Sequence, residues 1–284
     1  MNKALKFCVF ILSYGRADKV ITIKTLRDRG YTGEINIICS DDDKTIDQYK
    51  ANYTDKVYVF SKNDYKGKFD IGDNFNDDRV VVFARNAVWD IAKEIGVDYF
   101  LVLDDDYTGF HYISNNKKEY QWRGCKGLDF VFDTYIRYLI ETKAESIAMI
   151  QGGDLIGGRE NPQFSGGLMK RKAMNTFFCS TANPFKFAGR INEDTNTYTY
   201  LGTLGNLFLQ IPDIAVSQKD TQQNSGGLTE FYLDTGTYYK SFYSILFAPS
   251  CVKVRAMGNT DMRLHHNISW NNCCPKIIRD TNKK

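Results

Sequence analysis

The stretch YFLVLDDDY, residues 99–107, joins an apolar run to three adjacent aspartates. The run FLVL is typical of a buried β-strand, and Asp104, Asp105 and Asp106 follow at the point where that strand ends. Carboxylates this close raise each other's pKa unless a positive charge lies among them. The stretch therefore predicts a buried strand whose carboxyl end carries three acidic side chains that a nearby cation would stabilise.

Three similar apolar runs precede this strand, and helical patterns separate some of them. The runs lie at residues 6–13, 33–43 and 55–64. Helices are predicted at 17–29 and toward the end of 79–96. The resulting β-α-β-β-α-β order, with nearly continuous apolar strands, predicts a mostly parallel twisted α/β sheet that is covered by helices on both faces.

Polar residues follow each of the four predicted strands. They are Ser13–Asp18, Ser40–Asp43, Ser61–Asp64 and Asp104–Asp106. Ligands of open α/β sheets bind beyond the carboxyl ends of the strands. We therefore expect these four segments to meet along one edge of the sheet and to form one site.

The second half of the chain has a mixed pattern. A helix is predicted at 128–143, and strands are predicted at 146–154, 166–179, 206–217 and 241–256. The glycine-rich stretch 152–167 is predicted to be a mobile loop near a ligand. Neither a linker nor an internal repeat is evident, so one domain, 1–284, is predicted, with halves 1–106 and 107–284.

Composition limits the class of protein. The chain has 284 residues, 43% of them hydrophobic and 25% charged, with a net charge of +3, which is ordinary for a globular protein. It contains no apolar stretch of membrane-spanning length, and the apolar run near its start is too short for a signal peptide. The seven cysteines are scattered without a CxxC pair, so we expect a reduced, cytoplasmic protein without a zinc knuckle.

The aspartates of YFLVLDDDY have the spacing of a divalent-metal site. Side chains alternate along a strand, so Asp104 and Asp106 point to the same side. Mg²⁺ and Mn²⁺ prefer such oxygen ligands, and Mg²⁺ is often held by one or two carboxylates together with phosphate oxygens. A solvated acidic loop is the alternative interpretation of the same residues.

Two later motifs carry further candidate groups. RLHHNISW, residues 263–270, contains His265 and His266, either of which could complete a metal site or simply pack in the core. GRINEDTNTY, residues 189–198, contains Glu193 and Asp194. These carboxylates suit either a general base or the favourable charge at a helix N-terminus.

Taken together, several motifs resemble the GT-A glycosyltransferases, and in particular the phage-type TET-associated glycosyltransferases. The motifs are SYGRADKV (13–20), FLVLDDDY (100–107), GRINEDTNTY (189–198), residues 218–244 and RLHHNISWNNCCPKII (263–278). The resemblance covers nearly the whole chain. It implies a GT-A-like, Rossmann-like fold with a nucleotide-sugar-binding half, 1–106, and an acceptor-binding half, 107–284.

The resemblance also implies roles for individual residues. The implied contacts to the nucleotide sugar come from Ser13, Tyr14, Arg16, Asp41, Asp42, Arg85, Asp105 and Arg263. The implied metal ligands are Asp104, Asp106 and either His265 or His266. The implied acceptor-side catalytic carboxylates are Glu193 and Asp194.

The function that the resemblance implies is transfer of a sugar from a nucleotide donor, UDP by preference, with Mn²⁺ or Mg²⁺. The implied acceptor is DNA that carries 5-hydroxymethylcytosine or another hydroxymethylated pyrimidine, in the host cytoplasm if the gene is a phage's. A buried base must be reached through the major groove or flipped out of the duplex. Candidate platforms for it are Trp122 with Arg123 and Lys126, and the tyrosines of residues 237–243.

Three other functions compete with this one. The first is a GT-A enzyme with a glycan or protein acceptor, which would have the same donor half. The second is a nucleotidyltransferase, which usually needs a longer glycine-rich phosphate loop than SYGRAD. The third is a DNA-binding module without catalysis, which would bind independently of metal.

Overall fold

The computed structural model describes residues 5–53, 56–114, 119–155, 160, 172–218, 237–257, 262–273 and 280. The strands are β1 (Phe7–Leu12), β2 (Glu34–Ser40), β3 (Val57–Phe60), β4 (Tyr99–Asp104), β5 (Tyr107–Ser114), β6 (Tyr120–Gly124), β7 (Ser146–Gln151), β8 (Phe177–Ser180), β9 (Phe208–Gln218), β10 (Val252–Met257) and β11 (Arg263–Ile268). The helices are α1 (Ile21–Asp28), α2 (Ile46–Tyr53), α3 (Val82–Glu94), α4 (Leu128–Thr142), α5 (Glu193–Thr203), α6 (Lys240–Phe247) and α7 (Trp270–Cys273).

The first nine strands form one sheet in the order β3-β2-β1-β4-β8-β7-β9-β5-β6. The four strands of the N-terminal half are neighbours and run parallel, as the sequence predicts. The later half of the sheet is mixed: β7 and β9 are parallel, whereas β8, β5 and β6 pair antiparallel with their neighbours. The predicted α/β class is confirmed, with parallel pairing confined mainly to the N-terminal half.

Helices cover both faces of this sheet, so central strands such as β1 are buried on both sides. Val9 and Ile11 of β1 pack with α1 and α4 on one face. Phe10 of the same strand packs on the other face with Val88 and Trp89 of α3. The alternation follows from the period of two along a strand, and it accounts for the continuous apolar runs in the sequence.

The helix α3 follows its predicted pattern closely. Ala87, Val88, Ile91 and Ala92 all lie in the core beneath it, and Ile95 packs against that core in part. The helix ends before Gly96, whose φ of 70° is the left-handed conformation typical of the residue after a helix.

Two strand predictions are wrong in part. In the predicted strand 166–179, the described residues 172–176 do not form a strand, and β8 begins only at Phe177. Residues 241–256 are predicted to be extended, but 241–247 lie in α6, and only 252–256 of the predicted strand belong to β10. The apolar run SFYSILF does not alternate between faces. Ser241 and Ser244 are buried while Phe242 and Leu246 are exposed, which is a helical period. The strands β10 and β11 form a separate antiparallel hairpin that packs against α6.

Some predictions concern residues outside the described part of the chain. They include most of the loop 152–167, the start of the predicted strand 166–179 and residues 219–236 of the family-like motif. Strands of both halves share one sheet, while the division at residue 106 stays a prediction. None of the helices in the described ranges is long and apolar enough to span a membrane.

Candidate active site at the carboxyl ends of the parallel strands

The predicted gathering of polar segments is seen at the ends of β1 and β4. Leu12 pairs with Asp104, so Ser13 and Asp105 lie side by side one residue further along. The Ser13 hydroxyl donates to Asp105 Oδ2 at 2.6 Å, and the Arg16 guanidinium donates to Asp105 Oδ1 at 2.9 Å. Both Asp105 oxygens therefore bind the SYGR loop, and the predicted contact of Asp105 with the nucleotide sugar stays a prediction.

The first aspartate of the DxD has a different cationic partner. Asp104 Oδ1 accepts from Arg85 Nη2 at 3.0 Å, and Arg85 Nε donates to Glu193 Oε1 at 2.9 Å. Arg85 is buried, and its guanidinium lies 5.0 Å from the centre of the Phe177 ring. One guanidinium thus joins the carboxylate at the end of β4 to the first carboxylate of α5.

Burial and crowding shift the pKa values of these acids. Burial, reinforced by Asp104 and Asp105, raises the pKa of Asp106 to about 6. Burial also raises the pKa of Glu193, to about 7, although the charge of Arg85 opposes the rise. The pKa of Asp194 is raised by burial too, while a 2.6 Å hydrogen bond from the Thr195 N–H favours its charged form. A cation at Asp106 would relieve the repulsion among the aspartates.

The SYGR loop is fixed by Asp43, which lies in the predicted site segment 40–43 but is given no role of its own by the family resemblance. Asp43 is buried, and its carboxylate accepts from the Gly15 N–H at 2.7 Å and from the Thr45 N–H at 2.8 Å. Gly15 has a φ of 67°, which a side-chain-bearing residue rarely adopts. The only sequence signal for Asp43 is its place as the third aspartate of CSDDD, in which the resemblance implies roles for Asp41 and Asp42.

Asp41 and Asp42 lie beside the same loop with other partners. Asp41 accepts from the Ser61 hydroxyl at 2.6 Å, which ties the end of β2 to the end of β3. Asp42 accepts from Lys62 Nζ at 2.8 Å, and that ammonium lies 4.9 Å from the centre of the Tyr14 ring. Tyr14, Asp42 and Lys62 therefore form one polar group with an aromatic face at the predicted nucleotide position.

The histidine pair lies on β11, close to the start of α5. His266 Nδ1 is 3.4 Å from the Asn192 amide, one residue before Glu193. Burial and the neighbouring charges of His265, Lys240 and Lys172 lower the pKa of His266 to about 3, so its imidazole is neutral. His265 Nδ1 instead contacts the His266 backbone carbonyl at 2.7 Å.

Asp104 and Asp106 are oxygen ligands of the kind that a hard cation prefers, and the metal site at these two aspartates stays a prediction. Asp104 and Asp106 offer carboxylate oxygens at the half-buried end of β4. Two carboxylates together with phosphate oxygens and water are sufficient for Mg²⁺. In the ranges that the structure describes, no three His, Cys, Asp or Glu residues converge as metal ligands, so His265 or His266 as a third ligand stays a prediction.

Arg263 begins β11 opposite Met257. Its side chain is outside the described part of the structure, so its predicted contact with the diphosphate stays a prediction.

One predicted DNA platform lies away from this site. Arg123 of β6 pairs with Tyr112, five residues along β5 from Tyr107, which is about 17 Å at the rise of an antiparallel strand. The N–H of Gly127, next to Lys126, donates to the carbonyl of Arg29. Arg29 lies shortly before β2, so Lys126 is near the amino ends of the parallel strands, away from the candidate site at their carboxyl ends. Trp122 packs against His111 on the same ribbon.

Among the tyrosines of residues 237–243, the three described side chains differ. Tyr243 is buried and donates to Asp73, whereas Tyr239 packs against Tyr243. Tyr238 is about half exposed.

Comparison with solved structures finds glycosyltransferases. Glucosyl-3-phosphoglycerate synthase from Mycobacterium tuberculosis, in complex with Mn²⁺ and UDP-glucose, is 11% identical at a TM-score of 0.46, over 92% of this chain and 86% of that one. The galactosyltransferase LgtC, in complex with donor and acceptor sugar analogs, is 15% identical at a TM-score of 0.35, over 62% of this chain and 58% of that one. No curated protein matches the sequence significantly.

Comparison with family models is decisive. The TET-associated glycosyltransferase model matches residues 7–227, from β1 past the end of β9, and so includes the SYGR loop, the DxD and Glu193. The chain therefore belongs to the TET-associated glycosyltransferase family and is a glycosyltransferase.

Proposed function

We propose that this glycosyltransferase transfers a sugar from a UDP-sugar to the hydroxyl of 5-hydroxymethylcytosine, or of another hydroxymethylated pyrimidine, in DNA. The observation that carries the proposal is the Glu193–Arg85–Asp104 bridge, with contacts of 2.9 and 3.0 Å. The bridge supports a sugar donor bound at the DxD and a proton acceptor at the start of α5, since a single guanidinium contacts the carboxylates of both. The family name and the sequence motifs support the DNA acceptor.

The donor would lie across the ends of β1, β2 and β4. The group formed by Tyr14, Asp42 and Lys62 suits the nucleoside, because it combines an aromatic face with hydrogen-bonding groups. Asp104 and Asp106 would hold Mn²⁺ or Mg²⁺. When bound there, the metal supplies positive charge that stabilises the leaving diphosphate.

Glu193 is the proposed general base. The acceptor oxygen forms a bond to the anomeric carbon, the bond to UDP breaks, and the hydroxyl proton passes to Glu193. A carboxylate whose pKa is raised toward 7 suits this role, since the best base has a pKa near the working pH. Arg85 holds the Glu193 carboxylate in place, and the neighbouring charge of Asp194 contributes to the raised pKa of Glu193.

Two measurements test the proposal. Calorimetry with UDP, with and without Mn²⁺, is expected to show binding that depends on the metal. Mass spectrometry of a hydroxymethylated oligonucleotide, incubated with candidate UDP-sugars, is expected to show the added mass of one sugar for each modified base.

The matched control is the same oligonucleotide with unmodified cytosine, which should stay unchanged. Metal-dependent UDP binding without transfer to any hydroxymethylated oligonucleotide would contradict the DNA acceptor while retaining the donor half. Binding of DNA without any metal-dependent binding of UDP would favour the non-catalytic module.

A further inference from the structure

The residue before the proposed general base has an unusual backbone conformation. Asn192 is the N-cap residue of α5, with a φ of 54° and a ψ of 36°, which lie in the left-handed region. An N-cap residue is usually extended, and its side chain accepts a hydrogen bond from an N–H of the first turn. The Asn192 side chain makes no such bond within α5, all of whose residues the structure describes. The position therefore has a strained backbone without the stabilisation that an asparagine cap normally gives.

The Asn192 side chain binds the neighbouring helix instead. Its Nδ2 donates to the Lys240 carbonyl at 2.8 Å and lies 3.3 Å from the Ser244 hydroxyl oxygen, and both residues belong to α6. The same nitrogen is 3.4 Å from Nδ1 of His266 on β11. One half-buried amide thus ties the start of α5 to two other elements of the C-terminal half.

The segment 189–191, which leads into this residue, is anchored as well. Arg190 is buried, and its Nε donates to the Asp73 carboxylate at 2.8 Å. Ile191 is buried against Tyr243 of α6, whose hydroxyl also donates to Asp73. The chain therefore enters α5 at a fixed position, and the Asn192 amide is the last anchor before the helix.

These anchors bear on the Glu193 carboxylate. Glu193 is the first residue of α5, and its Oε1 accepts from Arg85 Nε at 2.9 Å. A general base has to lie within about 3 Å of the oxygen whose proton it accepts. Misplacement by about 1 Å can lower a rate by about a hundredfold. Arg85 fixes the carboxylate from the side of α3, and Asn192 fixes the backbone that carries it.

We propose that Asn192 is a positioning residue, whose side chain fixes the first turn of α5 on α6 and thereby holds the Glu193 carboxylate at the acceptor hydroxyl. Asparagine meets two demands at once, because it adopts the left-handed conformation more readily than most residues and it offers an amide donor. Glycine would meet only the first of these demands. This inference rests on the proposed function, since it requires Glu193 as the general base.

The test compares turnover with binding in Asn192→Gly, which keeps the left-handed backbone and removes only the amide. Turnover is measured as sugar transfer to the hydroxymethylated oligonucleotide at saturating UDP-sugar and Mn²⁺, and UDP affinity is measured by calorimetry. The expected result is a fall in kcat of at least about tenfold with unchanged UDP affinity, because the base is displaced while the donor site is intact. A wild-type kcat in Asn192→Gly would overturn the inference.

Combination with Glu193→Gln separates positioning from a general loss of structure. If Asn192 acts through Glu193, then Asn192→Gly should lower kcat no further once Glu193→Gln has removed the base. A further fall of the same size in the double variant would mean that Asn192 supports the fold at large, and the positioning role would be wrong.

Lys143→Gly is the matched control. Lys143 also has a left-handed backbone, with a φ of 53°, but it follows α4 and precedes β7, at the amino ends of the parallel strands. Its replacement should leave kcat unchanged. If Glu193→Gln lowers kcat and Asn192→Gly does not, only this inference fails. If Glu193→Gln has the wild-type kcat, or if the wild type transfers no sugar to the oligonucleotide, the proposed function itself fails.

Discussion

Replacement of Arg85 by methionine should cost the protein much of its stability. The side chain of Arg85 is 2% exposed and is the shared partner of Glu193 and Asp104. Removing one member of a buried ion pair typically costs about 3–5 kcal/mol, because the other charge stays buried without compensation. The entropy of unfolding is about 2.1 cal/mol/K per residue, or roughly 0.6 kcal/mol/K for 284 residues. The expected fall in Tm is therefore about 5–8 °C.

The loss should grow with pH. The raised pKa of Glu193 means that its carboxyl holds a proton more readily in the folded than in the unfolded state, so its contribution to stability falls as pH rises toward 7. The charge of Arg85 lowers this pKa, so Arg85→Met raises it further and extends the loss above pH 7. We expect a larger difference in Tm between variant and wild type at about pH 8.5 than at about pH 6.

Thermal unfolding followed by circular dichroism at both pH values measures these effects. The matched control is Arg137→Met, which removes an exposed i,i+4 pair with Asp133 on α4 and should shift Tm by no more than about 2 °C. Arg85→Lys keeps the positive charge but lacks the planar guanidinium that donates to Glu193 and Asp104 at the same time, so an intermediate Tm is expected. An Arg85→Met protein that unfolds with the control at both pH values would refute the bridge as a stabilising element.

Three further predictions concern the site and its surroundings. Glu193→Gln should lower turnover by at least about a hundredfold and leave the affinity for UDP unchanged. The rate of the wild type should rise with pH through about 7, and equal rates for the two proteins would place the general base elsewhere. Asp106→Asn should abolish the metal-dependent binding of UDP without loss of fold, and the affinity of the wild type for Mn²⁺ should fall as pH drops through about 6, because a protonated acid is a poor ligand. Titration calorimetry near pH 5.5 and pH 7.5 measures both effects. UDP binding that survives both the substitution and a chelator would contradict the metal site. Asp73→Asn should leave the buried Arg190 with a weakened partner and lower the free energy of unfolding by about 3 kcal/mol, as measured by urea titration. A urea midpoint equal to that of the wild type would show that the loop 73–77, before α3, is held by other contacts.

Much of the fold of the N-terminal half follows from local sequence pattern. The four N-terminal strands and α3 lie where the sequence predicts them, because strands buried on both faces give continuous apolar runs and a half-buried helix repeats every 3–4 residues. The approach of Ser13 to Asp105 was predictable for the same reason, since parallel strands end at one edge of the sheet. Residues 241–247 were mispredicted because a short apolar run suits both helix and strand.

The α/β class, the acidic end of β4 and the family motifs could be predicted from the sequence, since all of these depend on residue type and spacing along the chain. The pairing of each cation with its acid depends instead on how the chain packs. Arg16 pairs with Asp105, whereas Arg85 pairs with Asp104 and with Glu193, 108 residues away along the chain. That contact exists because α3 and α5 pack on the same face of the sheet, and packing between distant segments leaves no periodic signal in the sequence. The exposure of Phe75 and Phe242 was decided in the same way, because an apolar residue is assigned to the core until its neighbours are known.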